Sequence, residues 1–434
     1  MPLRLRPARR HRGLLVCIIA IAFGAAFYKV YKTPPAASFQ PVPAAVSGNS
    51  EPLLYSDFAS SRQLIQTHAA SLIELKNGHL RAFWFSGSRE GARDVEIHTA
   101  VFDPVRRQWS TEQSIATRSG TQQALVRYIS KLGNPVPARA ADGTLWLYYV
   151  TVSIGGWAGS SIAAITSQDE GVTWSRARRL VSSPFFNIST LVKGAPFLYS
   201  DGTMGLPVYH EFISKFGELL RLDKTGAVID KQRLSAGGEG ALQPVVLTQS
   251  PRDALVLMRH SGAAPRRVLG TATHDAGQHW SRPAPTALPN PDAALAAVTL
   301  TDGRLLAILN DAEQGRDALA LVISADGGAN WKKLYRFEDQ SAAGESALNP
   351  AHYSKIVEEM VGRAGPESQG KVKSAQRQMC KEQSCRFEFS YPYLIKTQSG
   401  ELHLVYTWNR SFIKHVAFTQ AWLDQRVRDS DGLH

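Results

Sequence analysis

The chain has 434 residues, of which 44% are hydrophobic and 20% are charged, a balance that excludes an intrinsically disordered protein. The formal net charge is +12, but seven positive charges and no acid lie within residues 1–32, so the rest of the chain carries only +5. That excess is too small to predict a nucleic-acid-binding surface.

The first predicted element is an anchor segment. An uncharged run of 16 residues, 13–28, follows five arginines and precedes Lys29 and Lys32. A basic start before an apolar run is typical of an export signal or a signal anchor. Small-residue cleavage sites occur only later, within 34–38 and 41–45. We therefore expect residues 1–32 to form a basic cytoplasmic stub with a signal anchor, and a cleaved signal peptide is the alternative.

The segment after the anchor, 33–54, is rich in Pro and Ala and is predicted to be a linker. This organisation predicts a protein anchored in the inner membrane with its main domain in the periplasm, or an exported protein. Cys380 and Cys385 could close a small disulfide loop in such an oxidising compartment. The histidines show no metal-ligand spacing, so neither a metal nor another cofactor is predicted, and the oligomeric state stays open.

An octapeptide of the form Ser/Thr-x-Asp-x-Gly-x-x-Trp occurs three times, at 167–174, 273–280 and 324–331. Its chemistry is that of a hairpin turn. The Asp side chain accepts hydrogen bonds from the backbone of its own turn, and Gly takes the conformation with positive φ. The Trp is predicted to pack beneath the turn and hold it against a sheet.

The spacing of these turns predicts the architecture. Asp169 and Asp275 are 106 residues apart, Asp275 and Asp326 are 51 apart, and a degenerate copy around Asp223 divides the longer interval. A period near 50 with short β-rich runs between the turns is typical of propeller blades. Residues 55–425 provide room for six blades, so the predicted fold is all-β, a six-bladed β-propeller.

The octapeptides resemble the Asp boxes, or BNR repeats, of the sialidase superfamily. The resemblance covers roughly residues 60–420 and is nearest to a bacterial sialidase-like branch. Asp boxes are structural and occur in enzymes and non-enzymes alike. For an enzyme, the resemblance implies three arginines that bind a substrate carboxylate and a tyrosine nucleophile activated by a glutamate. It also implies a carboxylic acid that protonates the leaving oxygen.

Four of these roles have matching residues. The resemblance implies that Tyr391 is the nucleophile and that Glu239 is the glutamate that activates it. Arg259 ends an apolar strand and matches the second arginine, and Arg316 precedes the strand of the third Asp box and matches the third. Glu211, beside a corner fixed by proline, is a second candidate for the carboxylate that activates Tyr391.

The first arginine of the family has no match in this chain. His68 stands at the corresponding place, and Thr407 replaces the glutamate that steadies that arginine in the family. The paired loss predicts a rebuilt site, in which His68 donates to a substrate oxygen and Arg410 restores a positive charge. A satisfied core histidine is the alternative for His68.

The acid matches Glu90, with Asp94 as its neighbour at the start of the next strand. The flanking Arg89 and Arg93 would lower the pKa of a carboxyl group here, so a salt-bridged loop without catalytic role is the alternative. Asn134 precedes a proline at a corner of the kind that lines the axial funnel of a propeller, and it is predicted to bind substrate.

A polar stretch near 340–386 interrupts the strand pattern and contains both paired cysteines. It is predicted to be an insertion over the face of the propeller, either a lid or a decoration.

The resemblance implies an exo-glycoside hydrolase that removes a terminal acidic sugar, sialic acid or a related ulosonic or uronic sugar, from a glycan. The missing first arginine favours a sugar other than sialic acid. Two alternatives stay open: a non-catalytic BNR propeller of the cell envelope that binds glycan or protein, and a propeller lyase or transferase. The predicted partners are an acidic glycan and, through the N-terminal segment, a membrane.

Overall fold

The computed structural model describes residues 9–32, 37–41, 51–183, 187–235, 237–344, 348–362 and 365–431. The chain divides into two compact units, Met1–Ala36 and Ala37–His434. In the first unit the described residues form one helix, α1 (Arg9–Lys32).

No helix in the described part of the chain combines the length and the hydropathy that a membrane span requires. Residues 1–8 of the predicted basic stub, and 33–36 and 42–50 of the predicted linker, lie outside the described residues. The membrane anchor and the location of the protein therefore stay predictions.

The second unit is a six-bladed β-propeller, which confirms the predicted fold. Its first strand, β1 (Leu54–Phe58), joins the last blade. The first blade contains five strands: β2 (Gln66–Glu74), β3 (Leu80–Gly87), β4 (Glu96–Asp103), β5 (Gln108–Trp109) and β6 (Gln113–Ala116). A short helix, α2 (Arg118–Leu125), leads to the second blade.

The second and third blades are again antiparallel sheets. The second blade consists of β7 (Lys131–Arg139), β8 (Leu145–Val152), β9 (Ser160–Ser167) and β10 (Arg178–Arg179). The third consists of β11 (Leu191–Val192), β12 (Phe197–Leu198), β13 (Met204–His210), β14 (Phe216–Leu222) and β15 (Val228–Arg233).

The fourth and fifth blades have four strands each. The fourth consists of β16 (Ala241–Thr248), β17 (Ala254–His260), β18 (Arg267–Thr273) and β19 (Ala284–Pro289). The fifth consists of β20 (Ala296–Thr299), β21 (Leu305–Leu309), β22 (Ala318–Ser324) and β23 (Lys332–Asp339).

An insertion separates the fifth blade from the sixth. It contains the helices α3 (Ser341–Gly344), α4 (Pro350–Val361) and α5 (Gly365–Met379) and the hairpin of β24 (Cys380–Lys381) and β25 (Ser384–Cys385). A disulfide joins Cys380 to Cys385 across this hairpin. Tyr353 of α4 and Ala375 of α5 are fully buried in the core shared with the last two blades, so these helices are packed parts of the domain.

The sixth blade combines both ends of the unit. It contains β26 (Phe389–Lys396), β27 (Leu402–Trp408) and β28 (Phe412–Phe418), and the last helix, α6 (Gln420–Asp431), follows it. The early strand β1 pairs with β28 as the outermost strand, from Leu54 opposite Phe418 to Phe58 opposite Lys414. The sheet therefore closes the ring by pairing the beginning of the unit with its end.

Blade-to-blade packing explains why the second strands of the blades read as continuous apolar runs. A sheet covered on both faces buries side chains of both parities, so polar and apolar positions do not alternate. All eight residues of β8 are buried, and so are all seven of β27.

The Asp boxes form the predicted turns between the third and fourth strands of their blades. In the first box, Asp169 accepts from the backbone N–H of Thr173 at 2.9 Å and from its hydroxyl at 2.6 Å. The degenerate copy has the same local bond, because Asp223 accepts from the N–H of Ala227 at 2.9 Å. All these turns lie at one edge of the propeller, which we call the Asp-box edge.

A short segment before β1 also lies on the propeller. Phe39 is fully buried and packs against Phe197 and Tyr199, at ring centroid distances of 5.6 and 5.5 Å. Its N–H donates to the carbonyl of Pro251 at 2.8 Å. Sequence patterning placed this residue in a linker and did not predict its burial.

Candidate functional site

The inner strands of all six blades begin at the edge opposite the Asp boxes, which we call the funnel edge. In or just before the inner strand of every blade, a non-glycine residue at this edge has a φ between 38° and 56°: Ala69, Asn134, Ser189, Gln243, Asp292 and Tyr391. Four of the inner strands, β2, β7, β16 and β26, also shift register there. Left-handed residues and bulges redirect side chains and cluster at functional sites.

A hydrogen-bonded row of four side chains joins these bulges across the funnel. The amide nitrogen of Gln243 donates to the hydroxyl of Tyr391 at 3.3 Å and to the hydroxyl of Tyr209 at 3.4 Å. The amide nitrogen of Asn134 donates to Tyr209 at 3.3 Å. Burial raises the pKa of Tyr209 well above its usual value, so this residue stays a neutral phenol.

Arg259 is held in place from two sides. Its Nε donates to Asp292 Oδ1 at 2.6 Å, and its Nη1 donates to Gln243 Oε1 at 3.4 Å. Burial opposes the ionised form of Asp292, but the hydrogen bond and charge of Arg259 lower its pKa overall. Asp292 also anchors a second arginine, because its backbone carbonyl accepts from Arg316 Nη2 at 2.6 Å.

Glu388 connects Arg316 to Arg410. It is 4% exposed, and its carboxylate lies 2.8 Å from Arg410 Nε and 3.6 Å from Arg316 Nη1. Burial alone would raise the pKa of Glu388, but the charge and hydrogen bond of Arg410 lower it to about 2. Arg410 also lies 3.5 Å from Glu90 Oε2. The buried carboxylate of Glu388 therefore orients both Arg316 and Arg410, and Glu90 makes a second contact with Arg410.

His68 lies against Tyr391, with the two ring centroids 4.4 Å apart. The histidine is 4% exposed, and its Nδ1 is buried without a hydrogen-bond partner in the described structure. Burial lowers the pKa of His68 to about 4, so the ring is neutral near pH 7. Behind it, the N–H of Ala69 donates to Thr407 Oγ1 at 3.0 Å, so Thr407 supports the bulge that carries His68.

A buried lysine lies on the other side of the tyrosine strand. Lys193 is 3% exposed and its Nζ donates to the carbonyl of Pro392 at 2.8 Å. The same nitrogen lies 6.0 Å from the ring centroid of Tyr391 and 5.2 Å from that of Tyr393. Burial lowers the pKa of Lys193 to about 7. The lysine therefore ties the bulge of β26 to the third blade.

The structure brings seven of the ten residues predicted from sequence together at the funnel edge: Tyr391, His68, Asn134, Arg259, Arg316, Arg410 and Glu90. Glu211 lies nearby. Its pKa is raised overall, because the effect of burial exceeds the opposing effect of the charge of Arg259. The roles assigned to these residues stay predictions.

Two of the predicted residues make other contacts. Asp94 is exposed and accepts from the N–H and the hydroxyl of Ser88, both at 2.9 Å, which stabilises its own loop. Glu239 forms no hydrogen bond or ion pair with Tyr391 in the described structure, and its Oε2 is buried without a partner. The partner of the Tyr391 hydroxyl is instead the neutral amide of Gln243.

Sequence reasoning missed four residues of the site: Gln243, Glu388, Tyr209 and Lys193. One signal was available for Gln243. The dipeptides Asn134-Pro135, Gln243-Pro244 and Tyr391-Pro392 all place a left-handed residue before a proline on an inner strand. No local pattern marks Glu388 or Lys193, since each is defined by contacts with another part of the chain.

The arrangement suits the binding of a carboxylate beside a reactive phenol. Arg259 and Arg410 lie within electrostatic reach of Tyr391, and Arg316 shares the carboxylate of Glu388 with Arg410. Guanidinium groups bind carboxylates in a bidentate manner. Among the residues that the structure describes, no group of His, Cys, Asp and Glu side chains is suited to hold a metal ion.

Comparison with protein families matches residues 78–404 to the BNR repeat-like domain. No curated protein sequence matches the chain. Known structures match it at low sequence identity. A Hadza microbial sialidase, Hz136, is 14% identical with a TM-score of 0.59 over 82% of this chain. The match covers 66% of that sialidase, just under two thirds of its length.

Two further structures share the fold. The intramolecular trans-sialidase from Ruminococcus gnavus is 12% identical with a TM-score of 0.58, over 88% of this chain and 99% of that one. The α-L-arabinanase from Penicillium chrysogenum is 14% identical with a TM-score of 0.53, over 86% of this chain and 98% of that one. At these identities the likeness concerns the fold, which sialidases share with a glycosidase of another specificity.

Proposed function

This chain belongs to the family of proteins with a BNR repeat-like domain, and on that premise we propose that it is a sialidase-like exo-glycosidase that removes a terminal acidic sugar from a glycan. One observation carries the proposal: Asp292 and Glu388 hold Arg259, Arg316 and Arg410 at the funnel edge that also carries Tyr391. Structural relatives that are glycosidases support the general class of reaction.

The arginines would bind the carboxylate of the sugar. Their own counter-ions are already oriented within the protein, so the guanidinium groups are positioned before the substrate arrives, which lowers the entropic cost of binding. Arg410 takes the part of the first arginine of the family, but it comes from the turn between β27 and β28 in the sixth blade. This change of position favours an ulosonic or uronic sugar other than sialic acid.

Tyr391 would attack the anomeric carbon through its phenolic oxygen, while the bond from that carbon to the leaving oxygen breaks. A neutral nucleophile suits an anomeric centre next to a carboxylate, because a carboxylate nucleophile would be repelled. His68 lies beside Tyr391 as a neutral ring with a free Nδ1, and it would accept the phenolic proton. Glu90, beside Arg410, would protonate the leaving oxygen.

One observation favours a second candidate, a non-catalytic propeller that binds an acidic glycan. Where a tyrosine nucleophile is expected to have a carboxylate partner, the hydroxyl of Tyr391 meets the amide of Gln243. An amide cannot accept a proton at neutral pH, so this position does not itself activate the phenol. The arginines would still bind the carboxylate.

The test uses the purified full chain with a panel of fluorogenic glycosides of sialic, other ulosonic and uronic acids. We expect release of fluorophore from at least one acidic glycoside, and a loss of at least a thousandfold in Tyr391→Phe with binding retained. Tyr393→Phe, a buried tyrosine two residues further along the strand, serves as the matched control and should keep full activity.

The outcomes separate the two candidates. Turnover that depends on Tyr391 establishes the enzyme, and the glycoside that is cleaved identifies the sugar. Binding of an acidic sugar with no turnover across the panel, and no effect of Tyr391→Phe, would contradict the proposed reaction in favour of the binding propeller.

A further inference from the structure

Large apolar side chains are exposed along one part of the funnel edge. We call this set the apolar rim and define it by six residues: Val126, Tyr128, Ile154, Ile188, Phe212 and Ile213. Ile154, Ile213 and Val126 are 82%, 87% and 90% exposed. Single exposed apolar residues are ordinary on protein surfaces, but a group of them concentrated in one place marks an interaction surface.

Strand pairing places the loops of the apolar rim together. Lys131 at the start of β7 lies opposite Val152 at the end of β8, so Ile154 follows at the same edge as Tyr128. In the third blade, Leu191 lies opposite Tyr209, which brings the loop with Phe212 to the start of β11.

A backbone contact joins the two blades at this edge. The N–H of Thr190 donates to the carbonyl of Ser160 at 3.4 Å, and the N–H of Glu211 donates to Ser189 Oγ at 2.8 Å. Ile188 and Phe212 are the chain neighbours of Ser189 and Glu211. The apolar rim is therefore one surface that spans the second and third blades and borders the funnel.

Basic side chains lie among these apolar residues. Lys131 Nζ lies 4.7 Å from the ring centroid of Trp157, and the Arg233 guanidinium lies 4.1 Å from that of Phe216. Lys215 is exposed and follows Ile213 by two residues. Two acids near this part of the edge lie close to cations, because Asp292 is paired with Arg259 and Glu211 is within electrostatic reach of Arg259 and Lys215.

This combination of residues suits a lipid surface better than a protein surface. The cores of protein interfaces are depleted of lysine, whereas surfaces that bind bilayers combine exposed aliphatic and aromatic side chains with lysine and arginine. The apolar side chains enter the interface between headgroups and acyl chains. The cations attract anionic headgroups, and each adds to the affinity.

We propose that the apolar rim docks on an anionic lipid surface, with Phe212 and Ile213 inserted between the headgroups and Lys131 and Lys215 against them. The docking itself does not depend on catalysis. If the proposed function holds, a docked propeller would present its arginines to acidic sugars carried on lipids, because Ser189 and Glu211 join the apolar rim directly to the funnel.

The test follows the environment of single labelled positions in the full chain. In a Cys17→Ser background, Ile213→Cys is labelled with the fluorophore NBD, whose emission rises and shifts to the blue in an apolar environment. The matched control is Val105→Cys, which is 91% exposed at the Asp-box edge. Both proteins keep the same N-terminal segment, so any attachment through that segment affects them equally.

With vesicles of equal parts phosphatidylglycerol and phosphatidylethanolamine, we expect the NBD emission to rise at least twofold at position 213 and to stay unchanged at position 105. With phosphatidylcholine vesicles the rise at 213 should be small. Lys131→Glu combined with Lys215→Glu should raise at least tenfold the lipid concentration that gives half of the full rise in NBD emission. Lys224→Glu, at the Asp-box edge, should leave it unchanged.

Three results would overturn the proposal. The first is an unchanged signal at position 213, whether or not the protein floats with the vesicles. The second is an equal rise at positions 105 and 213. The third is a rise at 213 that needs no lipid and grows with protein concentration, which would identify a second copy of the chain as the occupant.

Discussion

Glu388 is the residue on which the geometry of the arginines depends. It contacts Arg410 and Arg316 and is almost fully buried, so the two guanidinium groups have their orientation from one carboxylate. A buried ion pair contributes to specificity of arrangement, and removal of one partner leaves the other charge uncompensated. The pKa of Glu388, about 2, shows that the folded protein strongly favours its ionised form.

We expect Glu388→Gln to destabilise the protein at pH 7. The folded pKa of about 2 lies below the ordinary value of 4.5, so the unfolded chain binds the proton more readily. The stabilisation, about 3 kcal/mol, is present in full above pH 4.5 and is lost as the pH falls toward 2. Urea unfolding at pH 7 and at pH 3 should therefore show a difference between wild type and variant that shrinks in acid.

The control for this substitution is Glu313→Gln. Glu313 forms an ion pair with Arg267 at 2.9 Å, but both side chains are more than one third exposed. Exposed pairs contribute about 0–1 kcal/mol, so this variant should unfold close to wild type at both pH values. Equal unfolding energies for Glu388→Gln and wild type at pH 7 would refute the role given to Glu388.

The blades that carry Asp boxes separate these stabilising turns from the candidate chemistry. The Asp boxes follow β9, β18 and β22 at one edge, and the left-handed residues lie near the start of the inner strands at the opposite edge. Asp275 accepts from Thr273 Oγ1 at 2.8 Å and from the backbone N–H of His279 at 2.9 Å. These bonds satisfy the turn without any contact with the funnel.

We expect Asp275→Ala to lower the free energy of unfolding by about 1–2 kcal/mol, because the hydrogen bonds from Thr273 and His279 lose their acceptor. Turnover or binding of the acidic sugar should stay within twofold of wild type. Asp429→Ala, which removes only an exposed ion pair with Arg426, should change the unfolding energy by about 0.5 kcal/mol or less. A loss of activity in Asp275→Ala greater than its loss of folded protein would show that the two edges are coupled.

Ring closure holds the whole propeller together. The outer strand of the sixth blade comes from the beginning of the unit, and Phe58 of β1 packs against Trp408 and Phe412 at ring centroid distances of 5.4 and 5.7 Å. A sheet that loses this strand exposes both an unpaired edge and the aromatic side chains beneath it. Phe39, further upstream, adds a second attachment at the third blade.

We expect a chain that starts at residue 37 to unfold cooperatively at the same urea concentration as the full chain. A chain that starts at residue 59 lacks both β1 and Phe39, and it should lose near-ultraviolet circular dichroism and cooperative unfolding. In the full chain, Phe39→Ala should cost about 3–5 kcal/mol, the usual range for a fully buried phenylalanine. A folded, cooperative chain from residue 59 would show that closure does not require the first strand.

Much of the fold could be predicted because its signals are local. Each Asp box lies within eight residues, and its Asp side chain accepts from the backbone of its own turn, so the repeat and its period are visible in the sequence. Tyr391, Arg259 and Arg316 were predicted in another way, through the resemblance to the sialidases.

Only the tertiary structure decided which side chains meet. Gln243 and Tyr391 are 148 residues apart in the chain and come together because bulged strands of two different blades face one funnel. Glu388 is defined by Arg410 and Arg316, and neither pair has a local pattern. The sequence by itself therefore determined the propeller and most of its candidate residues. Packing of the blades decided their partners, because those contacts depend on register and bulges across the ring.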